Sequence, residues 1–79
     1  MQENSVEIMG RNIFLLRVKH RLNQRQMASI LGIGVSSLSK LEKGVLPPRM
    51  TVEPLFRIQD HFGVSPSDLF DHELFDGKK

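Results

Sequence analysis

Small polar and basic residues cluster between positions 23 and 44 of this sequence, where they could recognise a charged partner. Two short runs of apolar residues at helical spacing lie in this segment, separated by Gly32 and closed by Gly44. A helix with small polar side chains on one face and basic residues around it suits insertion into the major groove of DNA. The segment therefore predicts a helix-turn-helix that binds DNA.

Positive charge coincides with this segment, although the net charge of the chain is only +2. Positions 11–49 hold eight Lys and Arg residues against the single acid Glu42, which gives +7. From position 50 onward three basic residues face six acidic ones, which gives −3. A polyanion, and nucleic acid above all, is the expected partner of the basic part, the alternative being a chance bias of a solvated surface.

The length of 79 residues predicts one domain over 1–79, with a core at about 5–71 and short tails at both ends. Cysteine is absent, which excludes disulfides and fits a reducing compartment. The longest apolar run, residues 13–16, is far too short to cross a membrane, and Glu3 and Glu7 do not suit a signal peptide. We therefore expect a soluble, cytoplasmic protein.

Apolar spacing and capping residues predict helices and no strands. A first helix, capped by Asn4 or Ser5, is expected to run to about His20. A second helix is predicted from the capping-box pair Asn23 and Gln26 to Gly32. A third helix is predicted from an N-cap at Gly34 to Gly44, with Leu38 and Leu41 pointing inward.

Two further helices are predicted after the loop that contains Pro47 and Pro48, which cannot be helical. Thr51 is the expected cap of the fourth, which ends at Gly63 and buries three apolar residues, namely Leu55, Ile58 and Phe62. Residues 65–68, Ser-Pro-Ser-Asp, predict the start of a short fifth helix. Five short helices around one core are therefore expected.

In this arrangement the chain resembles the Cro/C1-type (XRE-like) helix-turn-helix family, which includes phage repressors. The resemblance covers roughly residues 13–69. Its motifs are Leu16-Arg17, Leu22-Asn23-Gln24, Met27-Ala28, Gly32-Ile33, Leu38-Ser39-Lys40-Leu41-Glu42-Lys43-Gly44, Phe62-Gly63-Val64-Ser65 and Asp68-Leu69. The resemblance implies an all-α, five-helix domain of the lambda-repressor-like type, with the helix-turn-helix at helices 2 and 3.

Base contacts would be made by the outward face of the third helix, which carries Val35, Ser36, Ser39 and Lys40. Lys40 can donate to guanine O6 and N7, and Val35 can pack against a thymine methyl group. The face has no glutamine, asparagine or arginine, so DNA shape would contribute to recognition. The alternative for its serines is helix solubility and capping.

Phosphate contacts are implied for five residues, namely Gln24, Arg25, Ser37, Lys43 and Arg49. Gln24 would use the positive N-terminus of the second helix, and such contacts fix register without reading sequence. For each basic residue the alternative is a solvated side chain. The resemblance also implies an ion pair between Arg17 and Glu42, with a structural role.

Some residues depart from the family pattern. The connection from Gly44 to Leu55 is longer than the common family loop. Three residues of the first helix are apolar where members of the family often have polar ones, namely Phe14, Leu15 and Val18. We expect them to pack internally, and the alternative is an interface with a partner. For Leu74 and Phe75 we favour a dimer contact.

Catalytic chemistry is not indicated by the sequence. His20, His61 and His72 are widely spaced, and no phosphate-binding glycine loop is present. We therefore expect no metal, no cofactor and no enzymatic activity. The leading hypothesis is a repressor that binds a palindromic operator as a homodimer, with its recognition helices about 34 Å apart. The alternative is an antitoxin or another protein-interaction module with the same fold.

Overall fold

The computed structural model describes residues 5–71, and within that range all regular structure is helical. The five helices, in chain order, are α1 (Ser5–Lys19), α2 (Gln24–Leu31), α3 (Val35–Glu42), α4 (Glu53–Phe62) and α5 (Pro66–Asp71). α1 packs against α3 and α5, and α2 packs against α3 and α4. The predicted all-α, five-helix fold is confirmed.

One hydrophobic core joins the five helices. Every helix contributes to it, because the apolar residues recur at the three- and four-residue spacing that keeps one helical face inward. Its buried members are Met9, Ile13, Leu16, Met27, Ala28, Leu31, Leu38, Leu41, Leu55, Ile58 and Leu69. Leu38 and Leu41 are completely buried, so α3 is oriented about its own axis by the core.

The turn between α2 and α3 follows from local residue chemistry. Asn23 Oδ1 accepts from the Gln26 amide at 2.8 Å, and Gln26 Oε1 accepts from the Asn23 amide at 2.9 Å, which confirms the predicted capping box. Gly32 ends α2 in the left-handed region with φ 74°, a conformation that L side chains rarely adopt. Gly34 is the N-cap of α3, with extended backbone and no side-chain hydrogen bond.

A close backbone approach holds the C-terminal end of α3 against α1. A Cβ atom on Gly10 would overlap the carbonyl oxygen of Leu41 and lie 3.1 Å from the amide nitrogen of Gly44. Gly44 itself has φ 84°, and a Cβ there would lie 3.1 Å from Cγ of Glu7. The two glycines therefore allow α1 and the end of α3 to meet almost without side chains between them.

A buried amide links α1 to α5. Asn12 is completely buried, and its Nδ2 donates to the carbonyl oxygen of Leu69 at 2.9 Å. A buried polar group without a partner would cost free energy, whereas this one ties the last helix to the first. This contact is not apparent from the sequence, because Asn12 lies among polar and apolar neighbours without a distinctive motif.

Several local expectations are corrected by the structure. α4 begins at Glu53, and its N-cap is Val52; the predicted cap Thr51 instead accepts from the Glu53 amide at 3.3 Å in a short local turn. Phe62 is half-buried, because its ring packs beside those of His20 and His61 at centroid distances of 4.8 and 4.7 Å.

The expectation of internal packing for the α1 residues is wrong for two of the three. Phe14 is 40% and Val18 is 51% exposed, while Leu15 is half-buried. These side chains point away from the α1 face that carries the core residues Met9, Ile13 and Leu16. Leu74 and Phe75 lie outside the described residues. Within those residues no helix has the length and hydropathy needed to cross a membrane.

Candidate nucleic-acid interface

The outward face of α3 carries the residues that the sequence assigns to base contacts. Val35 is 42% exposed, and Ser36 and Lys40 are also exposed. Ser39 and Ser37 are half-buried at the edges of this face. Leu38 and Leu41 fill the core on the opposite side, so the face is a consequence of how α3 is packed.

The positive N-terminal ends of α2 and α3 have no acidic residue in their first turns, and α3 has no side-chain cap, whereas α2 is capped by Asn23. A Cβ atom added to Gly34 would meet nothing within 4 Å, so the backbone at the start of α3 is open to close approach. Free amide groups and the helix dipole favour an anion at such an end.

The residues assigned to phosphate contacts occupy three places around α3. Gln24 is the first residue of α2 and is half-buried, and Arg25 beside it is exposed. Lys43 is exposed at the C-cap of α3. Arg49 is exposed in the α3–α4 loop, where its φ is 64°.

An open pocket of about 300 Å³ brings two of these residues to one surface. Ser37 of α3 and Arg49 of the loop both line it, between the turn of the motif and the start of α4. Arg57 of α4 also lines it and lies over the turn, since a Cβ on Gly32 would be 3.1 Å from Arg57 Nε. Arg57 forms an exposed ion pair with Glu53 at 3.0 Å.

Arg17 and Glu42 form the ion pair that connects α1 to α3. Arg17 Nε donates to Glu42 Oε2 at 2.7 Å and Nη2 donates to Oε1 at 3.1 Å, a bidentate arrangement. The two side chains are 15% and 7% exposed. Arg17 Nη1 also donates to the carbonyl oxygen of Leu22 at 3.1 Å, so the pair fixes the loop before α2 as well.

Glu42 has a second partner on α2. The amide nitrogen Nε2 of Gln24 donates to Glu42 Oε1 at 3.1 Å. The carboxylate of Glu42 therefore binds side chains from α1 and α2 at the end of α3. The only acid among positions 11–49 is held in this network, and its side chain is 7% exposed.

Sequence reasoning missed the Gln24–Glu42 hydrogen bond, although Gln24 itself was singled out. Residues 18 positions apart carry no local signal of contact. It also missed four exposed apolar residues between positions 45 and 56, namely Val45, Leu46, Val52 and Phe56. Among the described residues, no three His, Cys, Asp or Glu side chains are grouped to hold a metal ion.

A helix-turn-helix with a buried inner face, an exposed polar outer face and basic surroundings defines the class of this protein. A family model described as helix-turn-helix matches residues 13–69. The chain therefore belongs to the helix-turn-helix family, of the Cro/C1-like (XRE) type that its motifs indicated. No curated protein matches the sequence.

Solved structures of bacterial regulators share the fold. The clp gene regulator ClgR from Corynebacterium glutamicum has a TM-score of 0.72 at 22% identity, over 87% of this chain and 71% of that one. The restriction-modification controller protein C.AhdI from Aeromonas hydrophila has a TM-score of 0.67 at 20% identity, over 82% and 96%. A SinR protein/SinI protein complex has a TM-score of 0.66 at 24% identity, over 80% and 60%.

Proposed function

We propose that this protein is a DNA-binding transcriptional regulator of the cytoplasm, a repressor without enzymatic activity. One observation carries the proposal: α3 exposes Val35, Ser36 and Lys40 while its opposite side is completely buried. Membership of the helix-turn-helix family supports it. So do the structural neighbours described as a clp gene regulator and as a restriction-modification controller protein.

In the proposed complex α3 lies in the major groove. Lys40 donates to guanine, Val35 contacts a thymine methyl group, and Ser36 and Ser39 add hydrogen bonds of low selectivity. Because these groups are few, the shape and deformability of the DNA supply part of the specificity.

The flanking residues contact the phosphate backbone on both sides of α3. Gln24, Arg25, Lys43, Ser37 and Arg49 each lie at an end of α3 or on an element next to it. Contacts of this kind set the register of the helix and weaken as salt rises. Two copies on a palindromic operator would insert their α3 helices into major grooves about 34 Å apart.

Selection from random duplex DNA at several salt concentrations tests the proposal. Lys40 and Lys43 are both exposed and provide a matched pair of variants. Lys40→Ala is expected to change or relax the enriched sequence at one position of each half-site. Lys43→Ala is expected to weaken binding to all sequences alike and to reduce the slope of log K against log[salt] by about 1.

Two results would contradict the proposal. One is that the wild-type protein binds no duplex even at low salt. The other is that Lys40→Ala leaves the enriched sequence and the affinity unchanged, which would remove α3 from base recognition.

A second candidate is a protein-interaction module, such as an antitoxin. The exposed apolar residues Phe14, Val18 and Phe56 favour it, because an apolar surface on a small domain often marks a contact with another protein. One of the structural neighbours is a complex of two proteins, SinR and SinI. Absence of DNA binding together with stable capture of one defined protein would support this candidate over the first.

A further inference from the structure

We propose that Arg57 of α4 binds a phosphate group together with Ser37 and Arg49, the two residues of its pocket that the sequence assigns to phosphate contacts. All three line the open pocket of about 300 Å³ beside the turn of the motif. In the proposed function the phosphate belongs to the DNA backbone, so the inference rests on that function and adds to it a contact from α4. A free phosphorylated molecule offers the same chemistry, and experiment separates the two sources.

Arg57 extends from α4 across the turn between α2 and α3. A Cβ atom on Gly32 would lie 3.1 Å from Arg57 Nε and 3.2 Å from Cζ, so the guanidinium group lies against the residue that ends α2. The absence of a side chain at Gly32 leaves room for it there. The side chain of Arg57 is 47% exposed, which leaves its outer surface accessible to a ligand. A positive charge is therefore held beside the motif by an element outside it.

Glu53 uses only part of the hydrogen-bonding capacity of Arg57. Arg57 Nε and Nη2 both donate to Oε2 of Glu53, at 3.2 and 3.0 Å. A guanidinium group has five N–H groups, so the two on Nη1 and one on Nη2 remain outside this pair. Glu53 therefore orients Arg57 and leaves it donors for a phosphate, which the planar fork of an arginine suits well.

The other groups of the pocket also favour an anion. Arg49 has no ion pair with another described residue, and its loop is restrained by Pro47-Pro48, which lines the same pocket. The hydroxyl group of Ser37 can donate a further hydrogen bond. The one carboxylate in the lining, that of Glu53, is paired with Arg57, and two arginines with one acid give the lining a charge of +1.

The size of the pocket suits a small anion. At about 300 Å³ it lies at the lower limit of pockets that bind small molecules, which span about 300–1,000 Å³. A phosphate group fits within it, whereas a larger cofactor would extend into solvent. In the proposed complex, one phosphate held by α3, the loop and α4 together would fix how α3 lies relative to the DNA backbone, because phosphate contacts set register and orientation.

Two charge-neutral double variants test the role of Arg57. The pocket variant combines Glu53→Gln with Arg57→Gln, and the control variant combines Asp60→Asn with Lys19→Gln. Asp60 and Lys19 are exposed and do not line the pocket. Each variant loses one acid and one base, so the net charge and the long-range attraction of DNA are unchanged. Both should unfold at a temperature close to that of the wild type, since exposed ion pairs contribute little to stability.

On duplex DNA the pocket variant is expected to lose at least about fivefold in affinity at low salt, for all sequences alike. The slope of log K against log[salt] should fall by about 1, as for one lost phosphate contact. The control variant should stay within a factor of about two of the wild type, with the same slope. Equal losses in the two variants would remove Arg57 from contact with the duplex.

Titration with inorganic phosphate in the absence of DNA separates this inference from the proposed function. Amide and arginine side-chain N–H chemical shifts are followed at constant ionic strength, with chloride as the reference anion. We expect saturable changes confined to residues of the pocket, present in the control variant and absent from the pocket variant. This result supports the pocket even if no duplex is bound, in which case only the proposed function fails.

The two measurements together identify the source of the phosphate. Weaker duplex binding by the pocket variant alone assigns the site to the DNA backbone. Shifts confined to the pocket, combined with equal duplex binding by the pocket variant and the control variant, assign it to a free phosphorylated molecule. The inference is overturned if the pocket variant differs from the control variant in neither measurement, while duplex binding by the wild type leaves the proposed function intact.

Discussion

Gln24 and Glu42, which are 18 positions apart, are joined by a hydrogen bond of 3.1 Å from Gln24 Nε2 to Glu42 Oε1. This contact connects the first residue of α2 to the last residue of α3. An amide nitrogen has two hydrogens, so Gln24 keeps a second donor, which the proposed complex would use for a phosphate. Glu42 therefore holds the side chain of Gln24 in place.

Gln24→Ala is expected to weaken binding to every DNA sequence alike, because a phosphate contact is lost but no base contact is. The free energy of unfolding should fall by only about 1 kcal/mol, as for a typical hydrogen bond. Filter binding at two salt concentrations and urea unfolding measure the two effects. A change in the preferred DNA sequence would show instead that Gln24 reads bases.

Arg17→Ala is expected to lower the free energy of unfolding by about 3–5 kcal/mol, because it leaves the carboxylate of Glu42 nearly buried without its cation. Arg57→Ala is the control, since it breaks an exposed pair with Glu53 whose value is about 0–1 kcal/mol. Urea unfolding of both variants gives the comparison. Equal losses would mean that burial of the Arg17–Glu42 pair has no energetic consequence.

Gly10→Ala is expected to destabilise the protein by about 1–3 kcal/mol or more, because the new methyl group overlaps the backbone at Leu41. Gly34→Ala should cost less than about 1 kcal/mol, since nothing lies near that position and the loss is one of N-cap preference. Thermal unfolding distinguishes them. A Gly10→Ala variant as stable as the wild type would contradict the close approach of α1 and α3.

Asn12→Ala is expected to release α5 before the rest of the fold. The carbonyl oxygen of Leu69 loses a buried donor, at a cost of about 1–3 kcal/mol. Amide hydrogen exchange should accelerate in α5 while protection in α2 and α3 stays close to that of the wild type. Uniform acceleration across all helices would indicate that Asn12 supports the whole core.

The helices could be predicted from local sequence patterns, whereas the contacts between residues far apart in the sequence could not. Asn23 with Gln26, and Gly32, mark helix ends through their own chemistry, so their positions follow from a few neighbouring residues. The cap of α4 lies one residue later than predicted, at Val52, which has helical backbone angles and no side-chain cap, while Thr51 accepts from the Glu53 amide. The approach at Gly10 depends on which atoms of α3 lie opposite, and no sequence pattern carries that information.

The surface of the candidate site likewise has features that the sequence predicts and features that it does not. Helical spacing places Val35, Ser36 and Lys40 outward once Leu38 and Leu41 are inward. The exposure of Phe14 was not predicted, because a large apolar residue on a helix that contributes to the core is usually buried. In the structure Phe14 is at the surface, with the guanidinium group of Arg17 over its ring.

The outward face of α3 has no part in holding the helix in place. Leu38, Leu41 and Glu42 orient it, and the exposed Val35, Ser36 and Lys40 take no part in the core or the ion-pair network. In the proposed complex with DNA, substitutions at those three positions would change the sequence that is bound while the scaffold keeps its stability. Under the proposed function, single surface changes would then be enough to give this fold a new specificity.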